Sequence, residues 1–371
     1  MLIGVPKEIK PDEFRVGLTP ASVREYGARG HRVLVETGAG AGIGAADEVY
    51  ERAGAEIVGS AREVYARADM VIKVKEPQPS EWPQLREGQI LFAYLHLAAD
   101  RAQAEGLLRS GCTAVAYETV TDAAGGLPLL APMSEVAGRL SIEAAGAALR
   151  RTAGGRGVLL GGVPGVPPAR VAIIGGGVVG TQAARVAAGV GADVVVLDRS
   201  LPRLRELDAM FAGRIRTRYS TAQSLDEEIA QADAVIGAVL VPGASTPKLV
   251  TRAMLKTMKP DTVIVDVAID QGGCFETSRP TTHGDPTYRV DGIVHYCVAN
   301  IPGAVPVTSS AALNSATLPF GLALADRGLR ALRDDPHLRA GLNLHRGAVT
   351  HQAVATALAL PYVAAERALA A

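Results

Sequence analysis

The stretch Arg170-Val-Ala-Ile-Ile-Gly175-Gly176-Gly177-Val-Val-Gly180 joins an apolar run to glycines in the spacing GxGxxG. The apolar run predicts a buried strand over Arg170–Ile174, and the residues after it predict a helix over Val178–Val190. In such a turn Gly175 permits the sharp bend, Gly177 lets the backbone approach a pyrophosphate, and Gly180 lets helix and strand pack closely. The helix start offers unpaired N–H groups to phosphates. The pattern therefore predicts a dinucleotide-binding site.

The next apolar run, Asp193–Leu197, ends in Asp198. An acidic residue about 20 positions after the glycine turn is expected to bind ribose in a site of this kind. The Asp198 carboxylate can accept hydrogen bonds from both ribose hydroxyls and would repel a 2′-phosphate, which favours NAD over NADP. Arg199 follows directly and weakens that preference. A turn that serves packing alone is the alternative, but strand, helix and acid together favour a cofactor site.

Short apolar runs alternate with helical patterns along most of the chain, an order typical of α/β proteins with parallel sheets. In the first third, helices are predicted over Pro20–Arg29 and Asp100–Arg109, and strands over Arg32–Glu36, Met70–Val74, Gln89–Leu95 and Thr113–Tyr117. The later strands are predicted over Arg170–Ile174, Asp193–Leu197, Ile215–Tyr219, Ala234–Val239, Thr262–Val267 and Ile293–Val298. These later strands, with helices between them, match a doubly wound dinucleotide fold.

A long helix is predicted between the two sets of strands. Ser134 is expected to cap this helix, which runs to about Arg151. The segment Thr152–Pro168 is rich in Gly and Pro, so it predicts a turn-rich loop before the second unit.

The end of the chain is predicted to be helical. Ser309 or Ser310 is expected to cap a helix to about Arg330, and more helix follows from about Val349. Because these tail helices have no strand of their own to cover, we expect the tail to return to the first domain. The prediction is an α/β protein with two Rossmann-like, doubly wound domains flanking a cleft. Residues 1–130 and 307–371 form a discontinuous substrate-binding domain, and residues 131–306 an NAD-binding domain.

Composition excludes several classes of partner. The chain has 371 residues, with 38 Lys and Arg against 38 Asp and Glu, and aromatic residues make up 4%. A nucleic-acid binder would show a basic excess and aromatic stacking surfaces, and no run of like charge suggests an anionic membrane. The three cysteines are widely spaced, with neither CxxC nor zinc-ligand spacing, so we interpret them as buried free thiols in a reducing cytosol.

The sequence predicts neither a signal peptide nor a membrane-spanning segment. The N-terminal segment becomes charged at Lys7 and Glu8, so it lacks the apolar core of a signal peptide. The longest stretch without Asp, Glu, Lys or Arg is Gly292–Ala325. Its prolines and amides favour buried strand, loop and helix over a membrane span.

Charged residues follow several predicted strands. Lys75 comes after Met70–Val74, His96 after Gln89–Leu95, and Asp270 after Thr262–Val267. Because the carboxyl ends of parallel strands line the ligand crevice, all three are candidate site residues. Each also has an ordinary interpretation: Lys75 as a surface lysine, His96 as a hydrogen-bonded core histidine, and Asp270 as a turn cap.

Several segments in order resemble the bacterial alanine dehydrogenases, which are related to the NAD-binding subunit of nicotinamide nucleotide transhydrogenase. The matching segments are GVPKEIK and RVGLTP near the start, KVKEP at 73–77, YLHLA at 94–98, AYET at 116–119, APMSEVAGR from Ala131, the GGGVVG turn, VDVAIDQGG at 265–273 and VANIPGAVP from Val298. They cover nearly the whole chain. The resemblance is far more specific than the glycine turn alone.

The resemblance implies a role for each candidate. Arg15 and Lys75 would bind the substrate carboxylate and carbonyl oxygen, and His96 and Asp270 would be the acid–base pair. The residues implied to bind NAD are Ser134, Gly175, Gly177, Val178, Gly180, Asp198, Arg203, Ser220, Val239, Leu240, Val267, Ala268, Ile269, Asp270, Arg279, Val298, Ala299, Asn300 and Ile301.

This chain departs from the family pattern at two points. Arg203 stands where the family usually has a lysine, and Asp12 precedes Glu13 where asparagine is common. Some members bind a metal through an acidic residue and a histidine in the first tail helix. The corresponding region here offers only Asp326, so no metal is predicted.

The implied function is NAD-dependent, reversible oxidative deamination of L-alanine to pyruvate and ammonium by a cytoplasmic homohexamer. The alternatives are a related dehydrogenase for another amino or keto acid, a transhydrogenase-type NAD-binding subunit, and an NAD-binding regulatory protein without catalysis. His96 separates the chain from the transhydrogenase branch, and the presence of all four candidate catalytic and substrate residues argues against a regulatory protein.

Overall fold

The computed structural model of the chain describes residues 1–239 and 246–370. The chain divides into two compact units, here described separately: the first unit is Met1–Met133 with Val305–Ala371, and the second unit is Ser134–Ala304. The strands of the described residues are β1 (Leu2–Val5), β2 (Arg32–Glu36), β3 (Glu56–Val58), β4 (Met70–Ile72), β5 (Ile90–Ala93), β6 (Thr113–Ala116), β7 (Arg170–Ile174), β8 (Asp193–Asp198), β9 (Arg216–Tyr219), β10 (Ala234–Gly237), β11 (Val263–Asp266), β12 (Thr287–Val290), β13 (Ile293–Tyr296), β14 (Leu342–His345) and β15 (Ala348–Val349).

The helices of the same residues are α1 (Pro20–Ala28), α2 (Asp47–Arg52), α3 (Ala61–Arg67), α4 (Arg101–Ser110), α5 (Ala131–Ala148), α6 (Val178–Gly189), α7 (Leu201–Phe211), α8 (Ala222–Gln231), α9 (Arg252–Leu255), α10 (Pro306–Arg327), α11 (Leu329–Asp334), α12 (Pro336–Arg339), α13 (Gln352–Leu358) and α14 (Ala365–Ala370). As predicted, Thr19 caps α1: its side chain accepts the Ser22 N–H at 3.3 Å. In the described part of the chain, no helix is both long and apolar enough to cross a membrane.

The first unit contains an eight-stranded sheet in the order β15-β14-β6-β5-β4-β1-β2-β3. Strands β1 to β6 pair in parallel, whereas β14 pairs antiparallel with both β6 and β15. The six parallel strands therefore have the order 3-2-1-4-5-6 of a doubly wound dinucleotide fold. The order reverses between β1 and β4, and such a switch point opens a crevice at the carboxyl ends of the strands.

The second unit repeats this arrangement. Its sheet has the order β12-β13-β11-β10-β7-β8-β9, and its strands pair in parallel except for β12, which is antiparallel to β13. Without β12, the order is again 3-2-1-4-5-6, and here the switch point lies between β7 and β10. The predicted fold class, α/β with two doubly wound domains, is confirmed for each unit.

Burial on both faces of the sheet explains why β7 is a continuous apolar run. Val171 and Ile173 pack into a core cluster that includes Ala183 of α6, while Ala172 and Ile174 pack into a second cluster with Ile229 of α8. Successive side chains of a strand point to opposite faces, so a strand with helices on both sides must be apolar at every position. The strand that precedes the glycine turn is thus fixed from both faces.

The predicted start of α5 is wrong. The helix begins at Ala131, so Ser134 lies within its first turn instead of capping it, and the helix ends at Ala148 and not near Arg151. Pro132 explains the earlier start, because proline fits the first turn of a helix, where its missing N–H leaves no bond unmade.

The predicted cap of the first tail helix is also wrong. Helix α10 begins at Pro306, and Ser309 and Ser310 are buried inside it. Ser310 Oγ accepts the N–H of Val16 at 3.3 Å. Another side chain of α10 makes a similar contact, since Asn314 Oδ1 accepts the N–H of Thr19 at 2.9 Å. These hydroxyl and amide groups therefore hold the segment after Arg15.

The tail also contains strands that the sequence reading missed. Strands β14 and β15 extend the first sheet, and Val349, predicted to begin a helix, pairs with Leu344. Arg346 and Gly347 both have positive φ and form the tight turn between the strands. The alternation Leu342-Asn-Leu-His before a glycine was the available signal. Strands β1, β3 and β12 were likewise not predicted, and most predicted strands end one or two residues earlier than expected.

The uncharged stretch and the cysteines agree with the predictions. Gly292–Ala325 forms β13, a loop and most of α10, as strand, loop and helix were expected there. In the described residues Cys112, Cys274 and Cys297 are free and buried. Burial raises the pKa of the Cys112 thiol to about 11, which keeps it protonated near neutral pH.

Candidate functional site

Three of the four candidate catalytic and substrate residues follow neighbouring strands of the first sheet. Arg15 lies in the segment after β1, Lys75 follows β4, and His96 follows β5. These strands are adjacent in the order β5-β4-β1, so all three residues lie at one side of the sheet, where its parallel strands end. We call this side the first carboxyl edge. It includes the switch point of the first unit.

Arg15 is buried, at 2% exposure, and its orientation is set by Glu13. Its Nε and Nη2 atoms donate to the two carboxylate oxygens of Glu13 at 2.7 and 2.5 Å. Its Nη1 lies 2.9 Å from Met133 Sδ. Burial alone would lower the pKa of Arg15, but the hydrogen bonds and charge of Glu13 outweigh it and raise that pKa. Glu13 thus holds the cation on its Nε–Nη2 edge.

Lys75 is half-buried and lies among charged neighbours at the end of β4. Glu76 follows it, and Lys10 from the N-terminal segment donates to Glu76. Burial by itself would raise the pKa of Glu76, but Lys75 and Lys10 outweigh that effect and lower it. This carboxylate therefore stays ionised beside Lys75.

His96 combines an exposed ring with a constrained backbone. Its φ is 50°, in the left-handed region that residues other than glycine rarely adopt. Glu118, from the end of β6, accepts the His96 N–H at 2.6 Å, and its Oε1 lies 3.8 Å from the ring Nδ1. The ring stacks parallel to that of Tyr94 at 5.8 Å. Nδ1 is therefore the ring nitrogen nearer to Glu118, and Nε2 is the one farther from it.

In the second unit the glycine turn has the shape that the motif predicts. Gly175 has φ of 102°, and a Cβ there would lie 2.7 Å from the carbonyl oxygen of Ala238 on β10's side of the switch point. A Cβ on Gly180 would lie 1.8 Å from the carbonyl oxygen of Gly175. At Gly177, the N-cap of α6, a Cβ would meet no surrounding heavy atom within 4 Å among the described residues. The turn is closed towards the protein and open at the helix start.

Asp198 and Arg203 both contact this turn. Asp198 Oδ2 accepts the Gly176 N–H at 2.7 Å, and Oδ1 accepts the Ser200 N–H at 2.7 Å. Arg203 donates from Nε to the Gly176 carbonyl at 2.7 Å and from Nη2 to Thr181 Oγ1 at 2.6 Å. Its Nη1 pairs with Glu206. Arg203 thus holds the turn itself, which is a role that the sequence did not predict.

Asp270 lies in the short turn Ile269–Gln271 after β11, and its carboxylate accepts the Asn300 N–H at 3.4 Å. Asn300 has φ of 59°. The loop that carries Asp270 is organised by Asp266, which is buried at the end of β11. Its carboxylate accepts hydrogen bonds from the N–H groups of Ala268 and Cys274 and from Ser278 Oγ.

Most of the other residues predicted to bind NAD follow strands of the second sheet, whereas Ser134 lies in α5, Val178 begins α6 and Arg279 lies in the loop before β12. Ser220 follows β9 and donates its N–H to the Asp198 carbonyl at 2.9 Å, and the Arg279 guanidinium lies 4.1 Å from the centre of the Tyr288 ring. Val178 begins α6 and is 43% exposed, which is unusual for a valine. The remaining predicted positions are Val239 after β10, Val267, Ala268 and Ile269 after β11, and Val298, Ala299 and Ile301 after β13. Leu240 lies outside the described residues.

The second unit fits a dinucleotide. A cradle that a Cβ would fill at Gly175 and Gly180, next to an open helix start at Gly177, suits a pyrophosphate approached by backbone N–H groups. Each oxygen of Asp198 accepts one described hydrogen bond and retains acceptor capacity for a ribose hydroxyl.

Three acidic residues that contact or position the predicted site residues were not predicted from the sequence. Glu13 holds Arg15, Glu118 contacts His96, and Asp266 organises the loop of Asp270. Glu118 follows a strand, in the segment AYET, so the rule used for Lys75 and His96 could have found it. Asp326, the acid of the first tail helix, instead pairs with Arg29 and His31.

The strand orders and the glycine turn are those of doubly wound dinucleotide-binding proteins. Residues 4–137 match the family model described as alanine dehydrogenase/PNT, N-terminal domain, and residues 141–352 match alanine dehydrogenase/PNT, C-terminal domain. The chain therefore belongs to the alanine dehydrogenase/PNT family, and the resemblance seen in its motifs is confirmed.

The chain is more similar to individual alanine dehydrogenases than to a transhydrogenase of known structure. The chain is 58% identical to an alanine dehydrogenase of Halomonas elongata, with 98% of this chain and 99% of that protein covered. It is 56% identical to that of Mycobacterium tuberculosis, with 98% of each covered. A solved L-alanine dehydrogenase superimposes with a TM-score of 0.94 at 52% identity over 97% of this chain and 99% of that one. For a transhydrogenase of Sinorhizobium meliloti the TM-score is 0.80 at 27% identity, over 95% and 100%.

Proposed function

We propose that this chain catalyses the reaction L-alanine + NAD⁺ + H₂O ⇌ pyruvate + NH₄⁺ + NADH + H⁺. The observation that carries the proposal is the grouping of two cations and a histidine at the first carboxyl edge. Arg15, Lys75 and His96 lie on segments that follow adjacent parallel strands, where doubly wound folds bind their ligands. Two cations and a proton-transfer group suit a small keto or amino acid.

Arg15 and Lys75 take the two oxygen functions of the substrate. Glu13 fixes the orientation of the Arg15 guanidinium, and we assign Arg15 to the substrate carboxylate, because a guanidinium binds carboxylates through charge-assisted hydrogen bonds. Lys75 donates to the carbonyl oxygen of pyruvate and stabilises the negative charge that develops there when ammonia adds. Lysine suits this task because its ammonium group is a compact charge on a flexible stem.

His96 moves the proton. In the direction of alanine oxidation, water attacks the iminium carbon of the oxidised substrate, and that water must lose a proton. Because Nδ1 faces Glu118 at 3.8 Å, we assign the transfer to Nε2. The same imidazolium then returns the proton to the leaving nitrogen, so one residue serves as base and as acid. Asp270, whose carboxylate is held by the Asn300 N–H, orients the water and balances the cationic iminium.

NAD is the cofactor that the second unit fits, and the chemistry it supplies when bound is acceptance of the hydride from the substrate Cα. The glycine turn and the start of α6 would hold the pyrophosphate, and Asp198 would accept the ribose hydroxyls. Arg203 keeps the turn in shape through Gly176 and Thr181. The joint action of residues of the two units on one substrate is part of this proposal, as are the homohexameric state and the cytoplasmic location that the family resemblance implies.

Of the alternatives, a transhydrogenase-type subunit has less support, because the sequence is 27% identical to the transhydrogenase and 52–58% identical to the alanine dehydrogenases named above. The family resemblance also implies that the transhydrogenases lack the histidine found here at His96. A dehydrogenase of the same kind that acts on another small amino acid is the second candidate, since carboxylate and carbonyl binding do not define the side chain.

The variants His96→Ala and Asp270→Ala test these roles. The wild-type chain is expected to consume NADH with pyruvate and ammonium. Both variants should lose at least about a hundredfold in kcat, the usual contribution of general acid–base catalysis, while the Kd for NADH measured by fluorescence changes less than about threefold. If either variant keeps near-normal turnover, its assigned role is wrong. If either variant binds NADH poorly, its loss of activity cannot be assigned to proton transfer.

A further inference from the structure

Lys73, directly after β4, is a lysine whose side chain is buried at 1% exposure and which the roles assigned above do not use. Its Nζ lies 2.9 Å from Glu81 Oε1 and 3.2 Å from Glu8 Oε2. Burial alone would lower the pKa of this ammonium group, but the two carboxylates outweigh burial and raise it. The residues Lys73, Glu8 and Glu81 form a buried group with one cation between two acids, which we call the Lys73 cluster.

Each carboxylate of the Lys73 cluster holds a different stretch of backbone. Glu8 Oε1 accepts the N–H of Val74, the residue before Lys75, at 2.7 Å. Glu81 Oε2 accepts the N–H of Gln78 at 2.7 Å. Its other oxygen also accepts the Tyr65 hydroxyl at 2.8 Å. Lys75 therefore lies between two backbone N–H groups that the cluster fixes, one before it and one after it.

The cluster also joins this stretch to the segment that carries Arg15. Glu8 follows β1, and β1 and β4 are the neighbouring strands at the switch point of the first sheet. The same segment contacts the end of β4 at two further points. Lys10 pairs with Glu76, and Gly17 packs so closely that a Cβ there would lie 2.4 Å from the Ile72 carbonyl oxygen. The Lys73–Glu8 ion pair is fully buried, whereas the Lys10–Glu76 pair is partly exposed.

Stability alone is a poor explanation for such a cluster. Buried ion pairs and triads are often replaced by apolar residues of similar size without loss of stability, because the desolvation of the charges offsets their attraction. An apolar core residue at Lys73 would serve equally well if packing were its purpose. A group that connects two backbone segments by directional hydrogen bonds fixes their relative position, which an apolar side chain cannot do.

We propose that Lys73 is a positioning residue that, by bridging Glu8 and Glu81, sets the spacing between Lys75 and Arg15 and thereby the affinity for the keto acid. This inference rests on the proposed roles of Arg15 and Lys75. Lys73 itself is buried and acts through Lys75 and Arg15. A displacement of a binding group by about 1 Å is enough to reduce catalysis by up to about a hundredfold.

The test is Lys73→Met in the full chain, with steady-state kinetics for pyruvate and for NADH and a thermal melt. We expect the KM for pyruvate to rise at least about tenfold while the KM for NADH changes less than about twofold, because only the first carboxyl edge is disturbed. Gln89→Met is the matched control. Gln89 is also fully buried, and it donates to the Tyr65 and Ala68 carbonyls. It lies directly before β5, at the amino end of that strand, and so not at the first carboxyl edge. It should lower the melting temperature without changing the KM for pyruvate.

A double-mutant cycle with Lys75→Gln separates positioning from general damage. If Lys73 acts through Lys75, Lys73→Met should reduce kcat/KM for pyruvate much less in the Lys75→Gln background than in the wild type. Fully additive effects, or an unchanged KM in Lys73→Met, overturn the inference. If Lys75→Gln itself leaves the KM for pyruvate and kcat unchanged, the proposed function of Lys75 fails first.

A milder variant keeps the test decisive if Lys73→Met does not fold. Glu81→Gln retains an oxygen that can accept the Gln78 N–H but removes one of the two negative charges that face the Lys73 ammonium group. The expected result is a smaller rise in the KM for pyruvate, of a few-fold, with the KM for NADH unchanged. A folded Glu81→Gln protein with the wild-type KM for pyruvate overturns the inference.

Discussion

At the scale of single residues, His96 depends on Glu118 for its conformation. The His96 backbone adopts a positive φ, and Glu118 accepts the N–H groups of both Leu95 and His96. The same carboxylate lies 3.8 Å from the ring Nδ1. A conformation that is sparsely populated for a histidine persists because this acceptor and the stacked Tyr94 ring hold it. The ring is therefore presented in one orientation.

This contact predicts the effect of Glu118→Gln. The amide keeps an acceptor for the backbone N–H groups but is a weaker acceptor than a carboxylate, so it holds the His96 backbone and ring less firmly. We expect kcat to fall by about 10- to 100-fold, part of the usual contribution of acid–base catalysis, with the KM for NADH unchanged. Glu105→Gln is the control, since Glu105 forms an exposed ion pair with Arg101 on α4. Equal rates for Glu118→Gln and the control would contradict the role of Glu118.

Sequence reasoning finds residues that follow strands, but not the partners that those residues acquire. Lys75, His96 and Asp270 each come directly after an apolar run, and the structure places each at the carboxyl end of a parallel strand. Glu118 and His96 come from different strands and meet only because β5 and β6 pair. Glu13 precedes Arg15 by two residues, yet nothing in the local pattern indicates that the carboxylate folds back onto the guanidinium. Pairings of this kind depend on tertiary structure.

At the scale of elements, the glycine turn is where the local sequence determines the most. Gly175 needs a positive φ and Gly180 allows a carbonyl to approach, and both requirements follow from the motif alone. Helix and strand boundaries were less predictable. Pro132 and Pro306 moved the starts of α5 and α10 before the serines that were expected to cap them. A proline tolerated in the first turn competes with a good cap two to four residues later.

The turn predicts opposite effects for two alanine substitutions in α6. In Gly180→Ala the new Cβ would lie 1.8 Å from the Gly175 carbonyl oxygen, so the backbone of the turn must move. We expect the stability to fall by about 1–3 kcal/mol and the Kd for NADH to rise at least about tenfold. Gly189→Ala is the matched control at the end of the same helix. A Cβ there meets no described neighbour within 4 Å, and the helix propensity of alanine should raise stability by up to about 1 kcal/mol.

These two variants are compared by thermal melts and by NADH fluorescence titration. Of the two variants, only Gly180→Ala is expected to lose affinity for NADH. An NADH affinity of Gly180→Ala equal to that of Gly189→Ala would contradict the assignment of this turn to the pyrophosphate.

At the scale of the whole molecule, two sheets of the same strand order carry different chemistry at their carboxyl ends. In the first unit the switch point is surrounded by Arg15, Lys75 and the buried Lys73 cluster, and in the second by glycines and Asp198. The net charge of zero thus hides local concentrations of charge. The tail contributes β14 and β15 to the first sheet, so the expectation that it has no strand of its own is wrong. Edge strands of four and two residues leave little pattern in a sequence.

Initial rates of NADH or NADPH formation across a panel of amino acids measure whether this chain oxidises L-alanine with NAD, as we propose. The panel compares L-alanine with glycine, L-serine, L-valine, L-lysine and D-alanine, each with NAD and with NADP. The proposed function predicts the highest kcat/KM for L-alanine with NAD, and a rate at least about tenfold lower with NADP because Asp198 disfavours a 2′-phosphate. No activity on L-alanine together with activity on another amino acid, or a preference for NADP, would contradict it.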